Sequence, residues 1–431
     1  MTASARLLGS RRVRIATSIA ACALALTPWA AQAQTATQAA PSGTPWKLAM
    51  PLAQAQSSDF FDVEATSRTD AWVVGRTIDE SWTATPLVRH WDGTRWSDVP
   101  PVRTDGRPAQ LDAVAASGPN DVWVAGTYND ALGSTTSSAR IPDHLAGLVG
   151  DRLRSGAALP ATASPIVLQH WNGTRWTRFT RPAPAEGWIR FVARLTSMGP
   201  DSVWLTTLDW NPATNEYAGQ LEHWDGDTWR KTALPPAPDG SRVEPWAITG
   251  TGPDDVWVTA RADNNGTATP LLYHFDGRRW TVKTVPTPSE ADGGWVANHA
   301  VTTERGDVLV FGKPNQMGTP SSLLATRWDG HEWHPVPVPG VDEVNAAGTD
   351  GSGAVWVAGW PVGNPHTVLS RWNGTAWTEE QLPADLTSTS EGSSVFNLEG
   401  IPGTRAMLAA GNAACDSTTG ACGLLASRGV R

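Results

Sequence analysis

The chain has 431 residues, a formal net charge of −9 and a pI near 5.5. It contains 24 Trp but only 3 Tyr and 3 Cys, with 41 Gly and 33 Pro, and 40% of its residues are hydrophobic. This composition is too apolar for a disordered chain and predicts a turn-rich globular protein. The acidic charge argues against binding to the phosphate backbone of a nucleic acid.

The first 33 residues have the features of a signal peptide. Its charged start contains Arg6, Arg11, Arg12 and Arg14. The apolar stretch Ile15–Trp29 is shorter than the ~20 residues that span a bilayer, and the small residues Ala31 and Ala33 flank Gln32 as in a cleavage site. We therefore predict cleavage after Ala33 and a secreted, extracellular chain without a membrane span. Cleavage changes the net charge from −9 to −13, because the segment carries four Arg and no acidic residue.

Two other signals at the N-terminus are weaker. Arg11 and Arg12 resemble a twin-arginine export signal, but Arg14 occupies a position where an apolar residue is expected. Cys22 follows a lipoprotein-like sequence, but the apolar run continues past it to Leu26, which argues against a lipid anchor. The sequence leaves the choice between the general and the twin-arginine export route open.

A repeated segment dominates the rest of the chain. Six copies share the pattern aromatic, Asp or Asn, Gly, two variable residues and Trp. They are 89-RHWDGTRW-96, 169-QHWNGTRW-176, 222-EHWDGDTW-229, 273-YHFDGRRW-280, 326-TRWDGHEW-333 and 370-SRWNGTAW-377. After one long first interval, the copies follow each other at a spacing near the ~50 residues of kelch-like propeller blades.

Each copy predicts a β-hairpin. Asp-Gly or Asn-Gly between two β-rich runs favours a two-residue type I′ turn. A turn of this kind pairs Trp91 with Thr94 and places Trp96 diagonally from Trp91. Upstream of each hairpin lie two more apolar runs, such as Asp70–Gly75 in the first copy, and these are separated by turns. Four strands per copy make one propeller blade.

The two ends of the chain predict a seventh blade. Residues 394–431 contain three strand-like runs, and the third, Leu424–Arg428, matches Leu323–Arg327 of the fifth copy. The missing fourth strand is predicted at the other end, where Trp46–Pro51 has the spacing of Trp96–Pro100. The expected architecture is an all-β, seven-bladed propeller over residues 46–431, closed by its N-terminal strand, after a flexible segment 34–45.

Cysteine and histidine give structural rather than catalytic signals. Cys415 and Cys422 predict a disulfide that staples a hairpin in an oxidising compartment. Four histidines recur at the same position of different blades, namely His90, His170, His223 and His274. Because packed sheets lie ~10 Å apart, these side chains do not converge on one metal ion. We expect no metal, no cofactor and no catalytic motif, and we expect a monomer.

Candidate ligand-binding residues come from the tryptophans that the repeat does not explain. Of the 23 Trp after the predicted cleavage site, 17 fall on repeat positions and are assigned to the core. Trp246 aligns with Phe61 and is also expected in the core. The other five, with nearby polar and aromatic residues, are predicted on one face, formed by the loops between strands two and three and between blades. The candidate set is Trp82, Tyr128, Trp188, Trp210, Tyr217, Arg261, Asp263, Trp295, Trp360 and His366.

One long insertion, residues 127–165, interrupts the second copy. It begins with a Ser/Thr-rich stretch, and its later part places Leu145, Leu148, Val149 and Leu153 at helical spacing. Loops of this length are often functional or disordered. We consider a flap over the central channel as one role for it.

The repeated V-W-V and H-W-[DN]-G-x-x-W segments resemble secreted bacterial propellers, kelch-type propellers and propeller lectins. The resemblance covers most of the chain after residue 45 and implies a fold, whereas no sugar-site residue of the lectins is matched. The spacing of four from Asp to Trp also departs from the sialidase Asp-box, which has five. We therefore predict a non-catalytic binding module for a carbohydrate or an extracellular protein. The alternatives are a glycosidase or lyase with a site at the channel mouth, and a structural surface protein.

Overall fold

The computed structural model describes residues 45–52, 57–129, 165–214, 216–264, 266–288, 293–315, 323–361, 366–383, 386, 392–415 and 421–430. The predicted signal peptide, nearly all of segment 34–45 and most of the insertion lie outside these residues. The described chain forms seven four-stranded antiparallel sheets. The first strands of successive sheets contact each other around a ring. The protein is therefore a seven-bladed β-propeller, as the sequence predicts.

Six blades are continuous in sequence. Blade 1 consists of β2 (Ser57–Ser67), β3 (Asp70–Ile78), β4 (Ala84–Trp91) and β5 (Trp96–Asp98). Blade 2 consists of β6 (Ala113–Gly118), β7 (Asp121–Thr127), β8 (Ile166–Trp171) and β9 (Trp176–Arg178). Blade 3 consists of β10 (Ile189–Ser197), β11 (Val203–Asn211), β12 (Glu216–Trp224) and β13 (Trp229–Thr232). Blade 4 consists of β14 (Arg242–Gly252), β15 (Asp255–Asn264), β16 (Thr267–Phe275) and β17 (Trp280–Thr284). Blade 5 consists of β18 (Trp295–Thr302), β19 (Val308–Pro314), β20 (Leu324–Trp328) and β21 (Trp333–Pro335). Blade 6 consists of β22 (Glu343–Thr349), β23 (Val355–Trp360), β24 (Val368–Trp372) and β25 (Trp377–Glu380).

The seventh blade joins the two ends of the described chain. It consists of β26 (Ser393–Gly400), β27 (Met407–Ala414), β28 (Ala421–Arg428) and the N-terminal strand β1 (Trp46–Leu48). Strand β1 pairs antiparallel with β28, with Trp46 opposite Arg428. The predicted closure of the ring by the N-terminal strand is confirmed. Trp46 is buried, and its ring lies edge-on to Trp356 of blade 6 at a centroid distance of 5.8 Å.

The register of β28 differs from the sequence match by one residue. Leu424 pairs with Gly411, and its counterpart in blade 5 is Leu324, which pairs with Gly312. Arg428 therefore stands where the other blades have the first aromatic residue of the hairpin. A one-residue slip moves side chains to the opposite face of a strand, but two adjacent leucines satisfy either register. The sequence match was wrong here for this reason.

The blade hairpins are built on a four-residue turn rather than on the predicted two-residue type I′ turn. Trp91 pairs directly with Trp96. The Asp92 carboxylate accepts hydrogen bonds from the backbone N–H groups of Thr94 (2.8 Å) and Arg95 (2.9 Å), and Gly93 has a φ of 91°. A hydrogen bond from the Thr94 hydroxyl (2.6 Å), and after it these backbone hydrogen bonds, lower the pKa of Asp92 to about 2. Direct pairing brings the two aromatic rings of each hairpin to centroid distances of 5.2–6.1 Å.

The recurring histidines have structural partners within their own blades. His90 stacks on Trp72 at 4.2 Å, and both side chains hydrogen-bond to one carboxylate oxygen of Asp70, at 2.7 Å and 3.1 Å. His274 repeats this arrangement, with 3.9 Å to the Trp257 ring. The same histidine position therefore orients the strand-two tryptophan against the next blade.

A disulfide joins Cys415 and Cys422, with 5.7 Å between their Cα atoms. It links the end of β27 to the start of β28, as predicted for a stapled hairpin. In the described part of the chain, no helix combines the length and hydropathy needed to span a membrane.

Candidate functional site

The propeller has two distinct faces, which follow from the order of its strands. In each antiparallel blade, the turns after strands one and three lie at one end, which we call the hairpin face. The loops after strand two and the connections between blades lie at the other end, which we call the loop face. All the sequence-predicted ligand residues lie at or near the loop face, whereas the Asp-Gly turns lie on the hairpin face.

Trp82 is the most exposed of the candidate residues. It lies in the loop between β3 and β4, with 69% of its surface accessible. Its φ is 62°, in the left-handed region that costs a residue with a Cβ about 1–2 kcal/mol. The Asp79 carboxylate holds this conformation by accepting the backbone N–H groups of Ser81 (2.9 Å) and Thr83 (2.8 Å). The loop therefore presents an indole ring to solvent from a backbone conformation that the Asp79 carboxylate fixes.

Trp360 and Trp188 are the other candidates with accessible rings. Trp360 ends β23 and is 37% exposed. Its position corresponds to that of Arg76 in blade 1, because each follows the glycine that ends a W-V-x-G run. Trp188 is half-buried in the connection between β9 and β10. Trp360 belongs to blade 6, and Trp188 lies in the connection between blades 2 and 3. Accessible aromatic side chains therefore occur at several positions around the loop face.

The structure buries the remaining off-pattern tryptophans. Trp210 is fully buried, with the Phe191 ring at 6.4 Å, and Trp295 is 2% exposed. The indole N–H of Trp295 donates to the carbonyl of Pro288 at 3.2 Å. Trp246 is buried as well, in line with its predicted core role. These rings pack blades together and have no accessible surface with which to contact a ligand.

The polar and tyrosine candidates form inter-blade contacts near the loop face. Arg261 is buried and pairs with Glu244 (3.0 Å) and Asp263 (3.1 Å), and its guanidinium lies 5.5 Å from the Tyr217 ring. It also donates to Asn315 of blade 5 at 2.9 Å. The structure thus brings Tyr217, Arg261 and Asp263 together, in a network that ties blade 4 to its neighbours.

The other two candidates also connect structural segments. Tyr128 is buried under the guanidinium of Arg107, which lies 3.5 Å from its ring. His366 is half-buried and forms an isolated β-bridge with Ser393, at the start of blade 7. Both residues therefore hold loop-face segments in place.

A charged central cavity is the feature that the sequence analysis missed. Its volume is about 640 Å³, and it is lined by the first strands of the blades and by their turns on the hairpin face. Seven titratable side chains line it, namely Asp62, Glu64, Arg194, His299, Glu304, Asp350 and Glu399. They belong to blades 1, 3, 5, 6 and 7, so only ring closure brings them together.

Bulges in the first strands direct several of these side chains. The strand pairing skips one residue immediately before Asp62, Arg194 and His299. Asn397 follows a bulge at the same place in blade 7. Bulges re-aim side chains and are frequent beside functional sites. Aligning the first strands of all blades would have revealed polar residues recurring in this one column of otherwise apolar runs.

The cavity electrostatics follow from burial and mutual proximity. Burial raises the pKa of Asp62 to about 7, against the lowering effects of Arg194 and of the backbone N–H groups of Val114 and Val63. Burial, and after it repulsion between their charges and that of Asp62, raises the pKa of Glu64 and of Glu399 well above the usual value. The cavity therefore contains carboxyl groups that retain protons near neutral pH.

Arg194 of blade 3 and His299 of blade 5 are in contact within the central cavity. Nη2 of Arg194 donates to Nδ1 of His299 at 3.4 Å. Burial lowers the pKa of His299 well below its usual value, and the positive charges of Arg194 and Lys313 lower it further. The imidazole is consequently neutral near pH 7.

The buried carboxyl groups predict that stability falls as the pH rises from 5 to 8. An acid whose folded-state pKa is raised binds its proton more tightly in the folded protein, so its ionisation above pH 5 favours unfolding. For Asp62, with a pKa of about 7, this loss amounts to about 2–3 kcal/mol over the window. His299 has the opposite effect on stability. Because it stays neutral in the folded protein, its protonation in the unfolded chain favours unfolding at pH values below its unfolded-state pKa.

Chemical denaturation of Asp62→Asn and wild type at pH 5 and pH 8 tests this prediction, because the variant lacks the ionisation of Asp62 and also its repulsion of Glu64 and Glu399. The variant is expected to lose less stability between the two pH values than wild type. Equal losses in the two proteins would contradict a raised pKa for Asp62.

One group of possible metal ligands occurs among the described residues. Asp329, Glu332 and His334 bring their ligand atoms within 4.8 Å of one another on an outer hairpin. The Asp329 carboxylate already accepts backbone N–H groups of the turn, and its other oxygen lies 2.6 Å from Nε2 of His334. This group acts as the cap of the blade 5 hairpin.

Comparisons with known proteins reveal similarity of fold alone. No model of a protein family and no curated protein matches the sequence. A prolyl endopeptidase structure has a TM-score of 0.50 at 9% identity, over 87% of this chain and 50% of that chain. YCF48 from Cyanidioschyzon merolae has a TM-score of 0.48 at 14% identity, over 89% and 98%. An ulvan lyase of polysaccharide lyase family PL25 has a TM-score of 0.44 at 12% identity, over 89% and 94%.

Proposed function

We propose that the protein is an exported, non-catalytic binding module that takes a carbohydrate ligand on its loop face. The observation that carries this proposal is the presentation of Trp82, which is 69% exposed and held at a positive φ. Strained residues in loops persist only where the surrounding structure over-determines them, and they cluster at ligand sites. An exposed indole on a fixed backbone is a surface on which the C–H face of a sugar ring stacks.

The composition of the face supports a carbohydrate over an apolar ligand. Trp82 and Trp360 are the only large hydrophobic side chains classed as exposed in the described chain, and they come from different blades. Single, separated rings with polar loop neighbours suit sugar residues, whose hydroxyl groups need hydrogen-bonding partners. A protein ligand would instead favour a contiguous buried anchor cluster. The kelch-type and lectin-like resemblance of the repeats fits this proposal.

Export is part of the same proposal. Residues 1–33 have signal-peptide features, and the disulfide between Cys415 and Cys422 suits an oxidising, extracellular compartment. A secreted monomer with a net negative charge would meet glycans or extracellular proteins rather than nucleic acids.

Loss of the Trp82 ring should abolish glycan binding without unfolding the protein. A glycan array probed with the labelled mature chain should give defined signals for wild type, and Trp82→Ala should bind the same glycans at least tenfold more weakly, which is about 1.4 kcal/mol. The matched control is Arg278→Ala, an exposed residue of the hairpin face, which should bind like wild type. Unchanged binding in Trp82→Ala and Trp360→Ala would refute the loop-face site. Binding to an extracellular protein but to no glycan would refute the ligand class.

A second candidate function is hydrolysis of a glycosidic bond in the central cavity. The observation in its favour is the pair Glu64 and Glu399, whose pKa values are both raised by burial, with further raising of Glu64 by the charge of Glu399 and of Glu399 by the charge of Asp62. In such a pair, one carboxylic acid gives its proton to the leaving oxygen while the other carboxylate takes a proton from the attacking water. The oxygen of the deprotonated water bonds to the sugar carbon as the glycosidic C–O bond breaks. Release of reducing ends that disappears in Glu399→Gln but persists in Trp82→Ala would favour this function, and absence of product from any bound glycan would remove it.

A further inference from the structure

The seam between blades 7 and 1 contains an apolar cavity of about 190 Å³. Its walls include Trp91 and Trp96 of the blade 1 hairpin, Leu408 and Ile401 of blade 7, and Leu48 of the N-terminal strand. Ser427 and Lys47 also line the cavity, and its other lining residues are apolar. The cavity thus lies where the two ends of the described chain close the ring.

The repeat explains why this space exists. At the interfaces of successive blades, the strand-two tryptophan of one blade packs against the hairpin aromatics of the next. Trp123 lies 5.1 Å from Trp229, and Trp204 lies 5.6 Å from Trp280. In blade 7 the corresponding residue is Leu408, because it pairs with Ser427 just as Trp72 pairs with His90. The blade 1 hairpin therefore faces a leucine where other hairpins face an indole.

Blade 5 shows how the same substitution is compensated elsewhere. Leu309 takes the tryptophan position there, but Phe311, two residues further on the same strand face, is buried in the same cluster with the partly buried Trp372 alongside. The blade 7 counterpart of Phe311 is Ala410, which packs beside Leu408. Neither Leu408 nor Ala410 supplies an aromatic ring, so blade 7 contributes none at these two positions, whereas Phe60 of blade 1 is buried in the same cluster.

We propose that this seam cavity binds a small planar aromatic molecule of the size of indole. The occupant is defined by the group that fills the equivalent space in other blades, which is an indole ring between the strand-two position and a tryptophan pair. An apolar cavity of about 150 Å³ stays dry and binds benzene, and the seam cavity is larger than that. Because its walls come from both chain ends, a bound molecule stabilises the closed ring by RT ln(1 + [L]/Kd).

Titration of the mature protein with indole, by calorimetry and by thermal denaturation, tests the proposal. Wild type is expected to give saturable heats and a melting temperature that rises with indole concentration. Leu408→Trp should fill the cavity, raise the melting temperature without ligand, and weaken indole binding at least tenfold. Leu408→Phe, a smaller aromatic substitution at the same lining position, is a second filling variant that should also weaken binding if Leu408→Trp fails to fold.

The matched control is Leu309→Trp in blade 5, which leaves the seam cavity intact and should bind indole like wild type. The absence of saturable binding to folded wild type overturns the proposal. Undiminished binding in folded Leu408→Trp or Leu408→Phe places the ligand elsewhere and also overturns it. The loop-face glycan site is distant in the fold, so Trp82→Ala should keep indole binding whether or not glycans bind.

Discussion

Removal of residues 34–51 should destabilise the whole propeller rather than one blade. The deletion takes away β1, which pairs with β28 through Trp46, Lys47 and Leu48, and exposes a sheet edge in blade 7. Trp46 is 4% exposed and packs with Trp356 of blade 6. Loss of a buried Trp side chain alone costs about 3–5 kcal/mol, a large part of the 5–15 kcal/mol that stabilises a typical protein.

Differential scanning calorimetry of the truncated and full mature chains measures this effect. One cooperative transition at a much lower temperature, or no transition, is expected after deletion of 34–51. The control is deletion of 34–44 alone, which keeps all of β1 and should leave the transition unchanged. An unchanged melting temperature in the longer deletion would contradict closure by the N-terminal strand.

Trp210→Ala and Trp82→Ala should differ sharply in stability, although both tryptophans lie outside the repeat. Trp210 is fully buried among Phe191, Trp246 and Tyr217, so its truncation leaves a cavity and should cost about 3–5 kcal/mol. Trp82 is exposed, and truncation there should change the free energy of unfolding by no more than about 0.5 kcal/mol. The free energies of unfolding of the two variants are compared by guanidinium denaturation. The comparison holds if the dependence of the free energy on denaturant concentration has the same slope in both.

The same pair of variants separates structural from functional tryptophans. Glycan binding per folded molecule should survive in Trp210→Ala at temperatures where it remains folded, whereas it should fail in Trp82→Ala. A large loss of stability in Trp82→Ala would mean that its ring packs against the protein in solution, which would weaken the proposed stacking surface.

The fold was predictable because its signals are local and repeated. A hairpin depends on residues close in sequence, and six copies of aromatic-[DN]-Gly-x-x-Trp make an accidental match implausible. The turn type was less accessible, because both a two-residue turn and a side-chain-capped four-residue turn use Asp followed by Gly. The choice depends on the Asp92 carboxylate accepting two backbone N–H groups, which a propensity argument does not weigh.

The candidate site was predictable only in part. Off-pattern position separated Trp82 and Trp360 from the core tryptophans, but it equally selected Trp210 and Trp295, which are buried. Whether a residue near the loop face is exposed depends on what the neighbouring strands and blades place over it. Trp210 is covered by Phe191 of the first strand in blade 3 and by residues of blades 4 and 5. Those contacts are distant in sequence.

The sequence by itself determined the blade unit, the number of blades and the strand that closes the ring, since each of these follows from repetition and from two complementary ends. Tertiary structure alone decided what the closed ring brings together. Asp62, Arg194, His299 and Glu399 lie in four different blades and meet only because seven sheets close around one axis. The aromatic gap beside Leu408 likewise exists only as a difference between one blade interface and its neighbours.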